Sequence, residues 1–124
     1  MHPPQLNVHR HDRDNHALIT LAGEIDLTTA PLVSAALAGC LGDGIRGIDV
    51  DLTEVTFCDA SGLNAFLASF RLVTDAGTSL RLHYPSQTMA RVIDITGSGF
   101  LLHPALTGRT RSRRMPLTAA GGAW

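Results

Sequence analysis

Ile48-Asp49-Val50-Asp51-Leu52, followed closely by Val55-Thr56-Phe57-Cys58-Asp59-Ala60-Ser61-Gly62-Leu63, is the stretch from which the fold can be read. Ile48, Val50 and Leu52 alternate with Asp49 and Asp51, the period of a strand with one face buried. Beyond Asp59 the period changes: Leu63, Phe66, Leu67, Phe70 and Val73 recur as one face of a helix, closed near Gly77. A strand that hands over to a helix within a few residues is one step of an α/β crossover, and it places Ser61 at or beside the helix start.

Working outward, Leu80, Leu82 and Tyr84 alternate with Arg81 and His83 until Pro85 ends the run, which predicts another strand. Ser86 then caps a short helix carrying Met89, Val92, Ile93 and Ile95 to a stop at Gly97. Upstream, Leu6 to Arg10 and Ala17 to Ala22 read as a hairpin around the polar turn Asp12 to Asn15, and Gly23-Glu24-Ile25-Asp26 breaks the second run. Thr28 or Thr29 caps a helix with Pro31 in its first turn, Leu32, Ala35, Ala36 and Cys40 on one face, and Gly42 and Gly44 at its end. The expected fold is α/β: a mixed sheet of four to five strands, with an N-terminal hairpin as antiparallel edge, parallel central strands and helices packed on it. Residues 1–103 form the single domain. Residues 104–124, rich in Gly, Thr and Pro and carrying Arg109, Arg111, Arg113 and Arg114, read as a flexible tail.

At 124 residues, 44% apolar and 17% charged, the chain suits one globular domain. Its ten basic residues are all arginine, against eleven acidic ones, for a formal charge of −1. That balance provides no chain-wide drive toward nucleic acid or anionic lipid, and the lack of lysine excludes Schiff-base, P-loop and kinase-type lysine chemistry. Cys40 and Cys58 have neither zinc-site nor C-x-x-C spacing and read as buried small hydrophobes. No apolar run approaches the roughly 18 residues of a membrane helix, and Met1 to Gln5 has no signal-peptide character, so a cytoplasmic location is expected.

Three constellations invite chemistry. Asp59-Ala60-Ser61-Gly62 lies where helix amides and the positive dipole end favour an anion, though Asp59 or Ser61 acting as a plain cap explains the same residues. A hydrolase built on Ser61 lacks the G-x-S-x-G frame, since Asp59 stands two before the serine. His9 and His11 share one side of an extended segment and, with Asp12, could reach a metal; a surface histidine pair is the plainer reading, and His83 and His103 add no ligand spacing. The tail arginines could meet RNA, acidic protein or lipid headgroups but lack aromatic platforms, and a solvated tail accounts for them.

Gly23-Glu24-Ile25-Asp26-Leu27-Thr28-Thr29-Ala30-Pro31 and, after a helix and strand, Val55 to Leu63 together resemble the STAS domain family of bacterial anti-sigma factor antagonists. Leu80 to Pro85 resembles that family's fourth strand, and Ser86 to Gly97 its last amphipathic helix. The resemblance implies a partner switch without catalysis, cofactor or metal. The unmodified domain binds an anti-sigma factor that is also a serine kinase and frees a sigma factor; phosphorylation at the second helix start breaks the complex, and a PP2C-type phosphatase restores it. It implies a partner surface of Glu24, Asp26, Thr28, Asp59, Ala60, Ser61, Gly62, Leu63 and Asn64, with no direct nucleic-acid or membrane contact.

One position departs from that family's pattern. An acidic residue there is followed by two hydroxyl residues and Gly, the first hydroxyl being the usual acceptor, and that first place is Ala60 here. Ser61 is then a shifted phosphorylation candidate, or the protein is a constitutive antagonist. A small-ligand or nucleotide-binding sensor module on the same fold is the alternative reading. Cys58 directly precedes the motif, so its oxidation would alter this surface, whereas a buried inert thiol would not; pairing with Cys40 needs the two Cα atoms within about 7 Å.

Overall fold

The computed structural model describes residues 5–102. Strands β1 (Leu6–Arg13) and β2 (His16–Ile25) form the hairpin; α1 (Ala30–Gly42), β3 (Gly47–Cys58), α2 (Ala60–Asp75), β4 (Ser79–His83) and α3 (Gln87–Ile95) follow, with a 3₁₀ turn at Gly99–Leu101. The four strands lie in the order β1-β2-β3-β4, β1 antiparallel to β2 and the other pairs parallel. This is the expected mixed sheet, with four strands among the described residues. Residues 103–124, and with them His103 and the tail arginines, lie outside that range.

The hairpin turn is tighter than expected. Asp14 and Asn15 alone make it, with φ of 52° and 65°, the two left-handed residues a two-residue turn requires. Asp12 and Arg13 therefore belong to β1. Strand β2 also does not break at Gly23-Glu24-Ile25 but runs through them. Gly23 makes this possible: at φ +121° it sits so close to Gln5 that an added Cβ would lie 2.0 Å from the Gln5 carbonyl oxygen.

Ala17, Ile19 and Leu21 of β2, Ile48, Val50 and Leu52 of β3, and Leu80 and Leu82 of β4 share the buried face. In β3 the alternation ends at Leu52 because register shifts against β2 insert extra residues there, and Val55 returns to the core out of phase. Helix α1 buries Ala30, Val33, Leu37 and Cys40. The expected face of Leu32, Ala35, Ala36 and Cys40 was thus turned by about one position: Leu32 and Ala35 are exposed and Ala36 is half-buried. In so apolar a helix, periodicity alone cannot select the inward stripe.

Helix α2 buries Leu63, Phe66 and Val73 as the spacing predicts, with Leu67 and Phe70 partly buried against the same core. Helix α3 is capped by the Ser86 hydroxyl, which accepts from the Met89 amide at 3.1 Å. It buries Met89 and Ile93, one turn apart; Val92, on the flank of that stripe, stays partly exposed, and Ile95, about 120° round the helix from Met89, faces outward. Tyr84 leaves the strand in a left-handed conformation (φ 58°) and is exposed. Among the described residues no helix is long and apolar enough to cross a membrane.

Candidate functional site

The site forms where the C-terminal ends of β2 and β3 deliver the chain into α1 and α2. The Asp59 amide donates to the Ile25 carbonyl at 3.1 Å, and the Thr56 hydroxyl donates to the Gly23 carbonyl at 3.2 Å. The two sequence motifs, thirty or so residues apart in the chain, are thereby held edge to edge.

The loop from Glu24 to Thr29 is folded by its own side chains. The Asp26 carboxylate accepts from the Thr28 and Thr29 amides at 2.9 and 3.0 Å, while the buried Thr29 hydroxyl donates to the Glu24 carbonyl at 2.8 Å and accepts from the Asp26 amide at 2.9 Å. Short polar side chains that bond back to the backbone fix such turns without help from regular structure. One consequence is that Leu27 is pushed outward, 78% exposed.

Asp59 caps α2. One carboxylate oxygen accepts from the Ser61 amide at 2.8 Å and the Gly62 amide at 3.2 Å, and the Asp59 carbonyl takes the Leu63 amide at 3.1 Å. The amides that an anion would use are therefore already satisfied from within, and the helix start is a capped end rather than an open anion cradle.

Gly62 is buried where α2 meets the strand ends: a Cβ there would stand 2.6 Å from Cys58 Sγ and 2.6 Å from Ile25 Cγ2. Leu63 is buried beside it. Both residues set the height of α2 above the sheet and offer no side-chain surface. Ala60 and Asn64 are exposed, Ser61 half-buried, and Glu24 and Thr28 exposed.

Between the starts of α1 and α2 runs an open groove of about 530 Å³ lined by Leu27, Ala30, Pro31, Ser34, Ser61 and Asn64. It brings Ser61 and Asn64 together with the Leu27 loop, whereas Asp26 is spent on its turn. Leu27, Pro31 and Ser34 were not among the sequence candidates. An apolar residue inside a polar turn was the one available signal for Leu27. Phe57, half-exposed at the end of β3, was missed likewise.

Burial, with Asp59 adding to it, pushes the Cys58 thiol up to about 11, and burial also raises Cys40. Both thiols are free. They stay protonated at neutral pH and are poor nucleophiles.

His9, His11 and Asp12 of β1, which could have reached a metal together, do not converge, in keeping with the plainer reading of a surface histidine pair. Strand alternation sends His9 and His11 to one face and Asp12 to the other, where Arg10 holds it at 2.8 Å and also reaches Asp43 at 2.9 Å. A different cluster exists that spacing did not reveal. On the face opposite the helices, the Asp49 carboxylate of β3 accepts from His83 Nε2 of β4 at 2.6 Å and from His16 Nε2 of β2. It ties three strands together across 33 and 34 residues of sequence.

Comparison with known proteins places this geometry. The family model for the STAS domain matches residues 6–110. An anti-sigma-B factor antagonist of Bacillus subtilis is 33% identical over 92 residues, 74% of this chain and 84% of that protein. The crystal structure of an anti-sigma factor antagonist from Mycobacterium paratuberculosis has a TM-score of 0.66 at 24% identity, covering 82% of this chain and 87% of that one. The Bacillus cell fate determinant SpoIIAA in its phosphorylated form has a TM-score of 0.61 at 25% identity, covering 77% and 88%.

Proposed function

The chain belongs to the STAS domain family, and from that premise we propose that it is an anti-sigma factor antagonist, a binding module that captures an anti-sigma factor and so releases a sigma factor. The observation that carries this reading is the groove between the starts of α1 and α2. It joins the two motifs into one surface with an exposed apolar knob, Leu27, and polar groups from Ser61 and Asn64. Such a mix of an apolar anchor and a polar rim suits protein recognition better than turnover of a small substrate.

In this proposal the anti-sigma factor is a serine kinase and Ser61 is its acceptor, with a PP2C-type phosphatase reversing the step in the cytoplasm. The partner surface comprises Glu24, Thr28, Asp59, Ala60, Ser61 and Asn64, with Asp26, Gly62 and Leu63 holding it in shape. A phosphate on Ser61 adds about −1.5 to −2 charges beside the Asp59 carboxylate and blocks the groove, which weakens the complex by repulsion and by desolvation. Ala60 holds the exposed place next to it, so the acceptor hydroxyl is the half-buried one.

The test is to incubate the protein with its cognate anti-sigma kinase and ATP, and to read intact mass with fragmentation for wild type and Ser61→Ala. One phosphate, lost in Ser61→Ala, supports the switch. Binding without phosphate makes the protein a constitutive antagonist, the second reading that Ala60 favours. An affinity unchanged by Asp59→Lys removes this surface from the proposal.

A further inference from the structure

The turn from Glu24 to Ala30 is closed by its own polar groups. The Asp26 carboxylate accepts from the Thr28 and Thr29 amides, the Thr29 hydroxyl bridges the Asp26 amide and the Glu24 carbonyl, and the Asp26 carbonyl accepts from the Ala30 amide at 2.7 Å. Thr29 is 1% exposed, so solvent does not compete for its two bonds. Pro31, in the first turn of α1, fixes the way out.

Leu27 takes no part in this closure. The bonds come from residues 24, 26, 28, 29 and 30, and the Leu27 side chain is left largely in water. A polar residue would serve the turn equally well and expose less apolar surface. What the leucine does is continue an apolar strip with Ala30 and Pro31 along the α1 wall of the groove, facing Ser61 and Asn64 on the α2 wall. Folding therefore does not account for a leucine here, whereas a contact outside the chain does.

Resting on the antagonist reading above, we propose that Leu27 selects the anti-sigma factor by entering an apolar socket on it, and that Asp26 is the positioning residue that holds Leu27 in the presenting conformation. An anchor ordered before binding loses little conformational freedom on docking, which strengthens the complex. A partner whose matching site is polar or too small leaves the leucine and its own polar groups badly matched, and is rejected. The Asp26 carboxylate is engaged with amides of its own loop, so its effect on affinity passes through Leu27 and not through its charge.

The test uses the full-length protein and the anti-sigma factor of the phosphorylation experiment, without ATP, with affinity and rates read by surface plasmon resonance. Leu27→Ala should bind about thirtyfold more weakly, chiefly through faster dissociation, while Leu27→Met, of similar volume, stays within about threefold of wild type. Asp26→Ala should weaken binding about tenfold, and Asp26→Asn, which keeps the acceptor, no more than about twofold. In the Leu27→Ala background, Asp26→Ala should add no more than about twofold, because the residue it positions is gone. Leu27 is exposed, so its variants should keep the wild-type urea midpoint and decide the matter even if Asp26→Ala folds poorly.

Leu27→Ala binding as well as wild type, while Asp59→Lys binds more weakly, overturns this inference and leaves the antagonist reading standing. No complex with wild type, or an affinity that Asp59→Lys also leaves unchanged, overturns both. Asp26→Asn as weak as Asp26→Ala, or full additivity of Asp26→Ala with Leu27→Ala, overturns the positioning role, since the Asp26 charge then meets the partner directly.

Discussion

Replacing Asp59 separates its two jobs. In Asp59→Ala the Ser61 and Gly62 amides, which donate at 2.8 and 3.2 Å, lose their acceptor, and Gly62 is buried, so water cannot freely replace it. Loss of a helix N-cap costs roughly 0.5–2 kcal/mol and a stranded buried donor roughly 1–3 kcal/mol; the two overlap, and about 2 kcal/mol is expected. At roughly 4–8 °C per kcal/mol for a domain of this size, Tm should fall by about 10 °C. Asp59→Asn keeps an acceptor of the same reach and should stay within about 0.5 kcal/mol of wild type. Urea titrations with a common m-value measure both. If Asp59→Asn is as destabilised as Asp59→Ala, or if Asp59→Ala is not destabilised at all, the assignment of Asp59 as the cap of α2 is wrong. With the cap intact in Asp59→Asn, any affinity it loses for the anti-sigma factor reports the charge alone.

Gly62→Ala forces a Cβ to 2.6 Å from both Cys58 Sγ and Ile25 Cγ2, and overpacking of about 1–3 kcal/mol should lower the urea midpoint; an unshifted midpoint would mean that α2 rides higher than described. Burial pushes the Asp49 carboxyl up, but hydrogen bonds from His83 and His16 together outweigh that and hold it below the usual carboxylate range. A depressed folded pKa stabilises above the unfolded value of about 3.9 and ceases to do so as pH falls through the folded one, so the stability gap between wild type and Asp49→Asn should be full near neutrality and close below about pH 4. Cys58, at about 11, and Cys40 should resist iodoacetamide at pH 7 on a timescale that consumes glutathione, and rapid single alkylation seen by intact mass would contradict their burial.

Legibility tracked the range of the interactions involved. Ile48 to Leu52 and Leu63 to Val73 could be read because burial on one face writes its period directly into neighbouring residues. The inward stripe of α1 could not, since apolar residues surround that helix and only its seat against the sheet and α2 selects Val33 and Leu37. Gly23 reads as a breaker in sequence yet lies within β2, because its role is close approach to Gln5, a contact made across the hairpin. The Asp59 cap was legible as one alternative; that it leaves the Ser61 and Gly62 amides satisfied rather than open is a matter of angstroms.

Local order was therefore determined by the sequence alone: the succession of strands and helices, the mixed sheet, a helix start at or beside Ser61, and Ala60 where an acceptor hydroxyl is usual. Tertiary structure decided what meets what. It joined Leu27, Pro31 and Ser34 to Ser61 in one groove, tied Asp49 to His16 and His83 across three strands, and parted Asp12 from His9 and His11. The reason is physical: periodicity and capping act over a few residues of chain, whereas a binding surface is set by the register and height at which distant segments pack, quantities no local pattern encodes.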